Sequence, residues 1–218
     1  MAGAGLLAHV EAEPGATAPS AAKLERLSEF FETEVRAGKL AGAMVLIQQH
    51  GVPVYLRGFG VRDVATGQPM TPDTLFALHS MTKPITNLAA MMLVEEGKLA
   101  LADPVSKYIP AFGSEKVGVQ STTQDGRPIL KLVPPNRAVT IEDLMRHTSG
   151  ISYDYIGGDL IRAAYAKADV LSGKYDNKVL ADRIARLPLV AQPGTLWRYG
   201  YSTDVLGRII EIASGKSL

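Results

Sequence analysis

Two serines in this sequence are each followed by a lysine three residues later, and such a pair can act as a nucleophile and its base. One pair is Ser20 and Lys23; the other, within the stretch HSMTKPI, is Ser80 and Lys83. A serine hydroxyl becomes a good nucleophile only when a neighbouring group accepts its proton, and a neutral lysine amine can do this. The pattern is short enough to occur by chance in 218 residues, so its surroundings must separate the two pairs.

Ser20 precedes a segment, from about residue 20 to residue 38, in which apolar residues recur at helical spacing. We therefore predict an amphipathic first helix, with Ser20 as its N-cap and Lys23 in solvent. This pair is not expected to do chemistry.

Ser80 lies close to Pro84, which is tolerated only near the first turn of a helix because proline lacks an N–H. Ser80 is therefore predicted at a helix start, where free backbone N–H groups and the helix dipole suit an oxyanion hole. Residues three apart share a helix face, so the Lys83 amine is expected over the Ser80 hydroxyl, and an apolar surround is expected to lower its pKa. The alternative is that Ser80 only caps the helix while Lys83 extends to solvent.

Two extended regions are predicted from β-branched residues on either side of turn sequences. Residues 42–62 indicate a hairpin about His50-Gly51. Residues 116–133 indicate an extended excursion, a segment that leaves the helical region and folds back at Asp125-Gly126. An isolated two-stranded hairpin is only marginally stable. The first hairpin is therefore expected to have sheet partners later in the polypeptide.

Helical patterns dominate the rest of the chain. The helix that carries Lys83 is apolar on nearly every side up to Gly97, so we expect it in the middle of a domain. Thr140 and Asp143 have capping-box spacing before a short helix. The short helix and the later ones are predicted at residues 141–147, 157–169, 177–186 and from about 203. Strands first and helices afterwards predict an α+β fold, divided into a flexible arm (1–19), a helix with two strands (20–65) and a mostly helical region (66–218).

Composition excludes several classes of protein. Lys plus Arg number 23 against 22 for Asp plus Glu, without blocks of like charge, so no nucleic-acid or anionic-membrane surface is expected. The absence of cysteine excludes disulfides and thiolate chemistry, and four scattered histidines form no metal motif. No signal peptide or bilayer-spanning stretch is recognisable, so a soluble, cytoplasmic protein with a small-molecule substrate is expected.

Three long segments, at residues 75–112, 141–153 and 197–218, resemble in order and spacing the serine hydrolases of the β-lactamase fold. Within that superfamily they are most similar to the family VIII carboxylesterases, relatives of class C β-lactamases and DD-peptidases. Long matching segments are stronger support than a four-residue pattern. The resemblance, which begins at about residue 22, implies an antiparallel sheet flanked by helices plus a mostly helical region, present here as its N-terminal part.

In that family the Ser-x-x-Lys serine is acylated and its lysine shares the role of base with a distant tyrosine, so the resemblance assigns Ser80 and Lys83 to the first two roles. Tyr199 and Tyr201 are the candidates for the third. The related esterases carry a Tyr-Ser motif five residues before Asp-Val-Leu-Gly, and counting back from residues 204–207 selects Tyr199. The β-lactamases usually have Tyr-x-Asn here, which this chain lacks, so an esterase is favoured.

Trp197 and Tyr201 are expected to line the acyl or alcohol pocket, although core packing explains Trp197 about as well. His147, in RHTSG, suggests a Ser-His pair, but the matching segment of the family is a structural helix end and turn. The resemblance implies neither a metal nor another cofactor.

The resemblance also implies further helices and strands, a second oxyanion N–H, and a third motif of the Lys-Thr-Gly, Trp-x-Gly or His-x-Gly type, none of which occurs in these 218 residues. We therefore expect the C-terminal remainder of the same polypeptide to complete the sheet, and this chain alone to be inactive. The expected reaction is hydrolysis of small or short-chain esters through an acyl-serine. The alternatives are a β-lactamase or DD-peptidase, an acyltransferase, and a non-catalytic penicillin-binding-like module.

Overall fold

The computed structural model describes residues 19–156 and 159–218, in two compact units that divide between Ala77 and Leu78. The predicted arm at 1–19 lies outside the described residues apart from Pro19. The sequence predicts the boundary between the strand region and the mostly helical region nearer the N-terminus, between residues 65 and 66. The first unit of the structure also includes a short third strand and the turn after it.

The first unit begins with helix α1, Ala21–Arg36, as the spacing of apolar residues predicts. The Ser20 hydroxyl accepts a hydrogen bond from the Lys23 backbone N–H at 3.3 Å. Lys23 is exposed, so the first Ser-x-x-Lys pair is an N-cap and a solvated lysine.

We expect Ser20→Ala to lower the free energy of unfolding by about 1 kcal/mol, the usual effect of losing an N-cap side chain. Urea denaturation of the variant and the parent protein measures the difference. A Ser106→Ala variant controls for the loss of a hydroxyl, because Ser106 is a half-buried serine that does not serve as a helix N-cap. Equal midpoints for Ser20→Ala and the parent protein would contradict the capping role.

The predicted hairpin is confirmed as strands β1, Gly42–Gln49, and β2, Val52–Asp63, paired antiparallel. The two turn residues, His50 and Gly51, have φ values of 49° and 77°, as the favoured two-residue hairpin turns require. A third strand, β3, Gln68–Pro69, pairs with β2 and was not predicted, because two residues are too few to show alternation.

Helix α1 packs against β2. The buried Ser28 hydroxyl lies 2.9 Å from the Tyr55 hydroxyl, and the rings of Phe31 and Phe59 stack with their centroids 5.3 Å apart. These contacts form the core of the first unit.

The second unit contains a two-stranded antiparallel sheet and five α-helices among its described residues. The sheet joins β4, Val117–Thr122, to β5, Pro128–Val133, which confirms the predicted excursion. The helices are α2 (Thr82–Glu95), α3 (Ile141–Met145), α4 (Asp159–Lys167), α5 (Asn177–Ile184) and α6 (Ser202–Ser214). The first two positions of the predicted 157–169 helix lie outside the described residues.

Helix α6 is the centre of this unit, since it packs against α2, α3 and α5. Its residues Val205, Leu206 and Ile209 are fully buried. The predicted capping box of α3 is present, with the Thr140 and Asp143 side chains each accepting a hydrogen bond from the other's backbone N–H. Helix α3 is therefore fixed at its start by local sequence and along its length by α6.

Helix α2 departs from the prediction that it is enclosed on every side. Thr86, Ala90 and Leu93 are buried, whereas Ile85 and Leu88 are 62% and 59% exposed. Only one face packs onto the rest of the second unit, because α6 covers that face and an equivalent neighbour is not present among the described residues. In the described part of the chain, no helix combines the length and apolarity needed to span a bilayer.

Candidate active site

Ser80 lies in a single 3-10 turn, His79–Met81, that leads directly into α2. Pro84 is in the first turn of that helix, which confirms the start predicted from its missing N–H. The Ser80 side chain is exposed. It therefore stands at a helix N-terminus, where a negative charge that develops nearby is stabilised by free N–H groups and the helix dipole.

Lys83 and Tyr199 both contact the Ser80 hydroxyl. The Tyr199 hydroxyl donates to Ser80 Oγ at 2.6 Å, and Lys83 Nζ donates to the same oxygen at 3.4 Å. Lys83 Nζ also lies 4.9 Å from the centre of the Tyr199 ring. The structure thus brings together the three residues that were predicted to be catalytic, although Tyr199 is 119 positions from Ser80.

The expectation that Lys83 has a lowered pKa is wrong. Burial of the amine is the largest single influence and acts to lower its pKa, as expected. The interactions of the ammonium group with the hydroxyls of Tyr199 and Tyr153 act in the opposite direction and outweigh burial, so the pKa of Lys83 is raised. Lys83 is therefore an ammonium group at neutral pH and is poorly suited to accept the proton of Ser80.

Tyr199 shows the complementary change. The hydrogen bond that the Tyr199 phenolate can accept from the Ser80 hydroxyl is the largest influence and lowers the pKa of the phenol; burial opposes this, and Lys83 lowers the pKa further through its hydrogen bond and positive charge. A phenol with a lowered pKa beside a fixed cation is a better proton acceptor than an ordinary tyrosine. Within this cluster, Tyr199 is thus the group best placed to take the Ser80 proton.

Tyr153 belongs to the same cluster and was missed in the sequence. Its ring packs edge-on against those of Tyr199 and Tyr201, with centroid distances of 5.5 and 4.4 Å, and it is 7% exposed. Burial raises the pKa of Tyr153, and the charge of Asp204 raises it further, so its hydroxyl stays protonated and can interact with Lys83. Its position in the segment that follows RHTSG is the one signal that could have identified it.

Asp204, in the first turn of α6, is the second residue that sequence reasoning missed. Together with Lys83 and Thr203 it lines a cavity of about 260 Å³. Burial raises the pKa of Asp204, and the positive charge of Lys83 acts to lower it. The carboxyl group is thus placed to offset the charge of the Lys83 ammonium.

The two residues predicted to contact substrate have different environments. Trp197 is 64% exposed, and its ring stacks on Tyr199 at 6.2 Å, so its contact with substrate stays a prediction. Tyr201 is 3% exposed and lies in the hydrophobic core beside Tyr153. Because its side chain is enclosed, the structure argues against the predicted substrate contact of Tyr201.

The family model described as Beta-lactamase matches residues 27–218. The chain belongs to the beta-lactamase family. The β-lactamase/DD-peptidase-like α+β fold predicted from the sequence is confirmed by this match and by the solved structure of EstCE1. That structure, described as a hydrolase with promiscuous acyltransferase activity, has a TM-score of 0.72 and 28% identity, and the match covers 90% of this chain and 48% of that one.

Curated relatives of this beta-lactamase family chain include an esterase. Esterase EstB from Burkholderia gladioli is 36% identical over 94% of this chain and 50% of its own length. Protein Rv1367c from Mycobacterium tuberculosis is 40% identical over 80% of this chain and 42% of its own length. The chain thus spans about half the length of the curated relatives it matches.

Proposed function

We propose that the full-length protein is a serine carboxylesterase that hydrolyses small or short-chain esters through an acyl-serine intermediate. The observation that carries the proposal is the pair of contacts on Ser80 Oγ, from the Tyr199 hydroxyl at 2.6 Å and from Lys83 Nζ at 3.4 Å. A nucleophile, an adjacent base and a group that orients the base are the three parts that acyl transfer requires.

In the proposed reaction, Tyr199 in its phenolate form takes the proton of Ser80 as Ser80 Oγ bonds to the ester carbonyl carbon. The ammonium group of Lys83 stabilises the phenolate and stays protonated. When the tetrahedral intermediate collapses, its bond to the alcohol oxygen breaks, and Tyr199 returns the proton to the departing alcohol. Water then repeats the sequence, with Tyr199 as its base, and releases the acid and free Ser80.

The C-terminal remainder of the polypeptide is proposed to supply the second oxyanion N–H. Loss of one oxyanion donor typically lowers kcat by about 10²- to 10³-fold. On this proposal the 218-residue chain by itself has little activity, and assays of the mechanism require the full-length enzyme.

The test is covalent labelling of the full-length enzyme with a fluorophosphonate probe, followed by peptide mapping by mass spectrometry. We expect one adduct, on Ser80, and hydrolysis of p-nitrophenyl acetate that is lost when the adduct forms. Ser80→Ala should give neither. Ser20→Ala is the matched control because it removes the serine of the other Ser-x-x-Lys pair, and it should retain both.

Absence of an adduct on Ser80 in intact, correctly folded protein would overturn the proposal and favour a non-catalytic binding module. Hydrolysis of nitrocefin at a rate comparable to the ester would favour a β-lactamase. Residues 199–201 are Tyr-Gly-Tyr, with a tyrosine where the β-lactamases usually have the Asn of Tyr-x-Asn, and this is the reason that we expect the ester to be preferred.

Acyl transfer to an alcohol is a second candidate, and it is supported by the likeness to EstCE1, whose structure is described as a hydrolase with promiscuous acyltransferase activity. An alcohol that reaches the acyl-serine can replace water in the second half of the reaction. Product analysis with a competing alcohol separates the two activities, because transfer gives a new ester and hydrolysis gives the free acid.

A further inference from the structure

The C-terminal end of α3 has the hydrogen bonds of a Schellman motif. The Thr148 N–H bonds to the Asp143 carbonyl at 2.9 Å, and the His147 N–H bonds to the Leu144 carbonyl at 3.3 Å, with Arg146 as the C-cap. The residue after the C-cap in this motif has a left-handed backbone and is usually glycine.

In this chain the left-handed position is occupied by His147, with φ of 56°. A side chain in that conformation costs about 1–2 kcal/mol. The nearest glycine, Gly150, lies three residues further on, where it allows a close approach to the backbone of Ala191. A histidine in a strained position where glycine is the usual choice indicates a use for its side chain.

The His147 side chain contacts the loop that carries the proposed base. It is 9% exposed, and its ring centroid lies 4.8 Å from that of Tyr199 and 6.2 Å from that of Trp197. The His147 carbonyl also accepts a hydrogen bond from the Arg198 N–H at 2.7 Å. The backbone of His147 therefore fixes the loop immediately before Tyr199, and its ring supports the ring of Tyr199.

The imidazole acts in this contact as a neutral ring. Burial lowers the pKa of His147, and the positive charge of Lys83 lowers it further. Its Nδ1 atom is buried without a hydrogen-bond partner in the part of the chain that the structure describes. These features suit packing rather than proton transfer by His147 itself.

We propose that His147 is a positioning residue, whose ring holds the Tyr199 side chain with its hydroxyl over Ser80. The inference rests on the proposed function, since it concerns the group that moves the proton. His147 itself takes no proton in the reaction. This positioning role explains why a histidine with a strained backbone ends α3 at this point.

Two substitutions separate the effect of the His147 ring from the effect of its strained backbone. His147→Gly relieves the left-handed strain but removes the ring, and we expect it to keep or raise the unfolding midpoint while kcat for p-nitrophenyl acetate falls by up to about 10²-fold through misplacement of the base. KM should change much less than kcat. His147→Phe keeps a ring of similar shape and is expected to restore most of kcat.

His50→Gly is the matched control. His50 also has a left-handed backbone, with φ of 49°, but it lies in the exposed β1–β2 turn of the first unit. The same exchange there relieves backbone strain and leaves the His147 ring in place, so kcat should equal that of the parent enzyme.

Crystal structures of the parent enzyme and of His147→Gly provide a readout that does not depend on turnover. We expect the Tyr199 hydroxyl to leave its hydrogen-bond distance from Ser80 Oγ when the ring is absent. An unchanged distance together with an unchanged kcat in His147→Gly would overturn the inference, and so would failure of His147→Phe to recover activity. If the parent enzyme shows no Ser80-dependent hydrolysis, the proposed function fails, whereas the crystal structures still decide the positioning role.

Discussion

Replacement of Tyr199 by phenylalanine is expected to lower kcat/KM for ester hydrolysis by about 10²- to 10⁴-fold, the usual contribution of a positioned general acid and base. The ring contacts with His147 and Tyr153 do not involve the hydroxyl, so the variant should fold as the parent protein does. The measurement is steady-state hydrolysis of a short-chain p-nitrophenyl ester by the full-length enzyme, with the fold of the variant checked by circular dichroism and its urea denaturation midpoint.

The pH dependence of the parent enzyme identifies the base. A base works in its deprotonated form, so kcat/KM should rise with pH through the pKa of Tyr199, which its hydrogen bond to Ser80 and the charge of Lys83 place below the ordinary value of a tyrosine. Tyr199→Phe should lose this rising limb. Because the Tyr199 phenol and Lys83 amine interact, the observed value belongs to the pair. The same rising limb in Tyr199→Phe would assign the proton transfer to another group.

Tyr201→Phe is the matched comparison for this experiment, since Tyr201 was the other tyrosine left open by the sequence. Its hydroxyl is buried and has no hydrogen-bond partner among the described residues, and burial raises its pKa. Removing that hydroxyl should change kcat/KM far less than the same change at Tyr199. A larger loss in Tyr201→Phe would reverse the assignment.

The features predicted most accurately from the sequence are those that short-range geometry determines. The Ser20 cap, the His50-Gly51 turn and the Thr140 capping box each depend on a few consecutive residues, and each is present in the structure. The proximity of Ser80 and Lys83 belongs to the same class, because helical spacing alone brings the two side chains together.

Tyr199 required different information. No local pattern connects it with Ser80, and only the resemblance, through the spacing to residues 204–207, selected it over Tyr201. The roles of Tyr153, in the segment after α3, and of Asp204, in α6, depend on how these two parts of the chain pack beside Lys83, which spacing does not encode.

The sign of the Lys83 pKa shift shows the same limit in energetic terms. An apolar helix correctly indicated burial, which is the largest influence and lowers the pKa. The opposing contributions come from two phenols that are distant in sequence, Tyr153 and Tyr199. Their sum exceeds the burial contribution, so the direction could not be predicted without the positions of both.

The second large effect that we expect is on the free energy of unfolding, and it comes from the titration of Glu115. This residue is 4% exposed, and its Oε1 atom has no hydrogen-bond partner within the described part of the chain. Burial raises the pKa of Glu115 to about 8, and the charge of Asp143 adds to the increase. The folded protein therefore keeps a proton on Glu115 at neutral pH that the unfolded chain releases.

The sign of the resulting pH dependence follows from linkage. Below the unfolded pKa, Glu115 is protonated in both states and has no effect on the free energy of unfolding. As pH rises from there to about 8, only the unfolded state ionises, so stability falls by at most about 1.4 kcal/mol per pH unit. Above the pKa of Glu115 in the folded state, the free energy of unfolding falls no further, and the total loss is a few kcal/mol at most.

Glu115→Gln removes this titration while keeping the shape of the side chain. We expect the variant to be more stable than the parent protein by up to a few kcal/mol at about pH 9, and the difference to shrink to near zero at about pH 4. Urea denaturation midpoints across that range measure it. Glu142→Gln is the control, because Glu142 is exposed and forms a surface ion pair with Arg146. Parallel curves for Glu115→Gln and the parent protein would show that the Glu115 carboxyl is ionised or solvated in the folded state, since a buried proton on Glu115 requires the curves to diverge as pH rises.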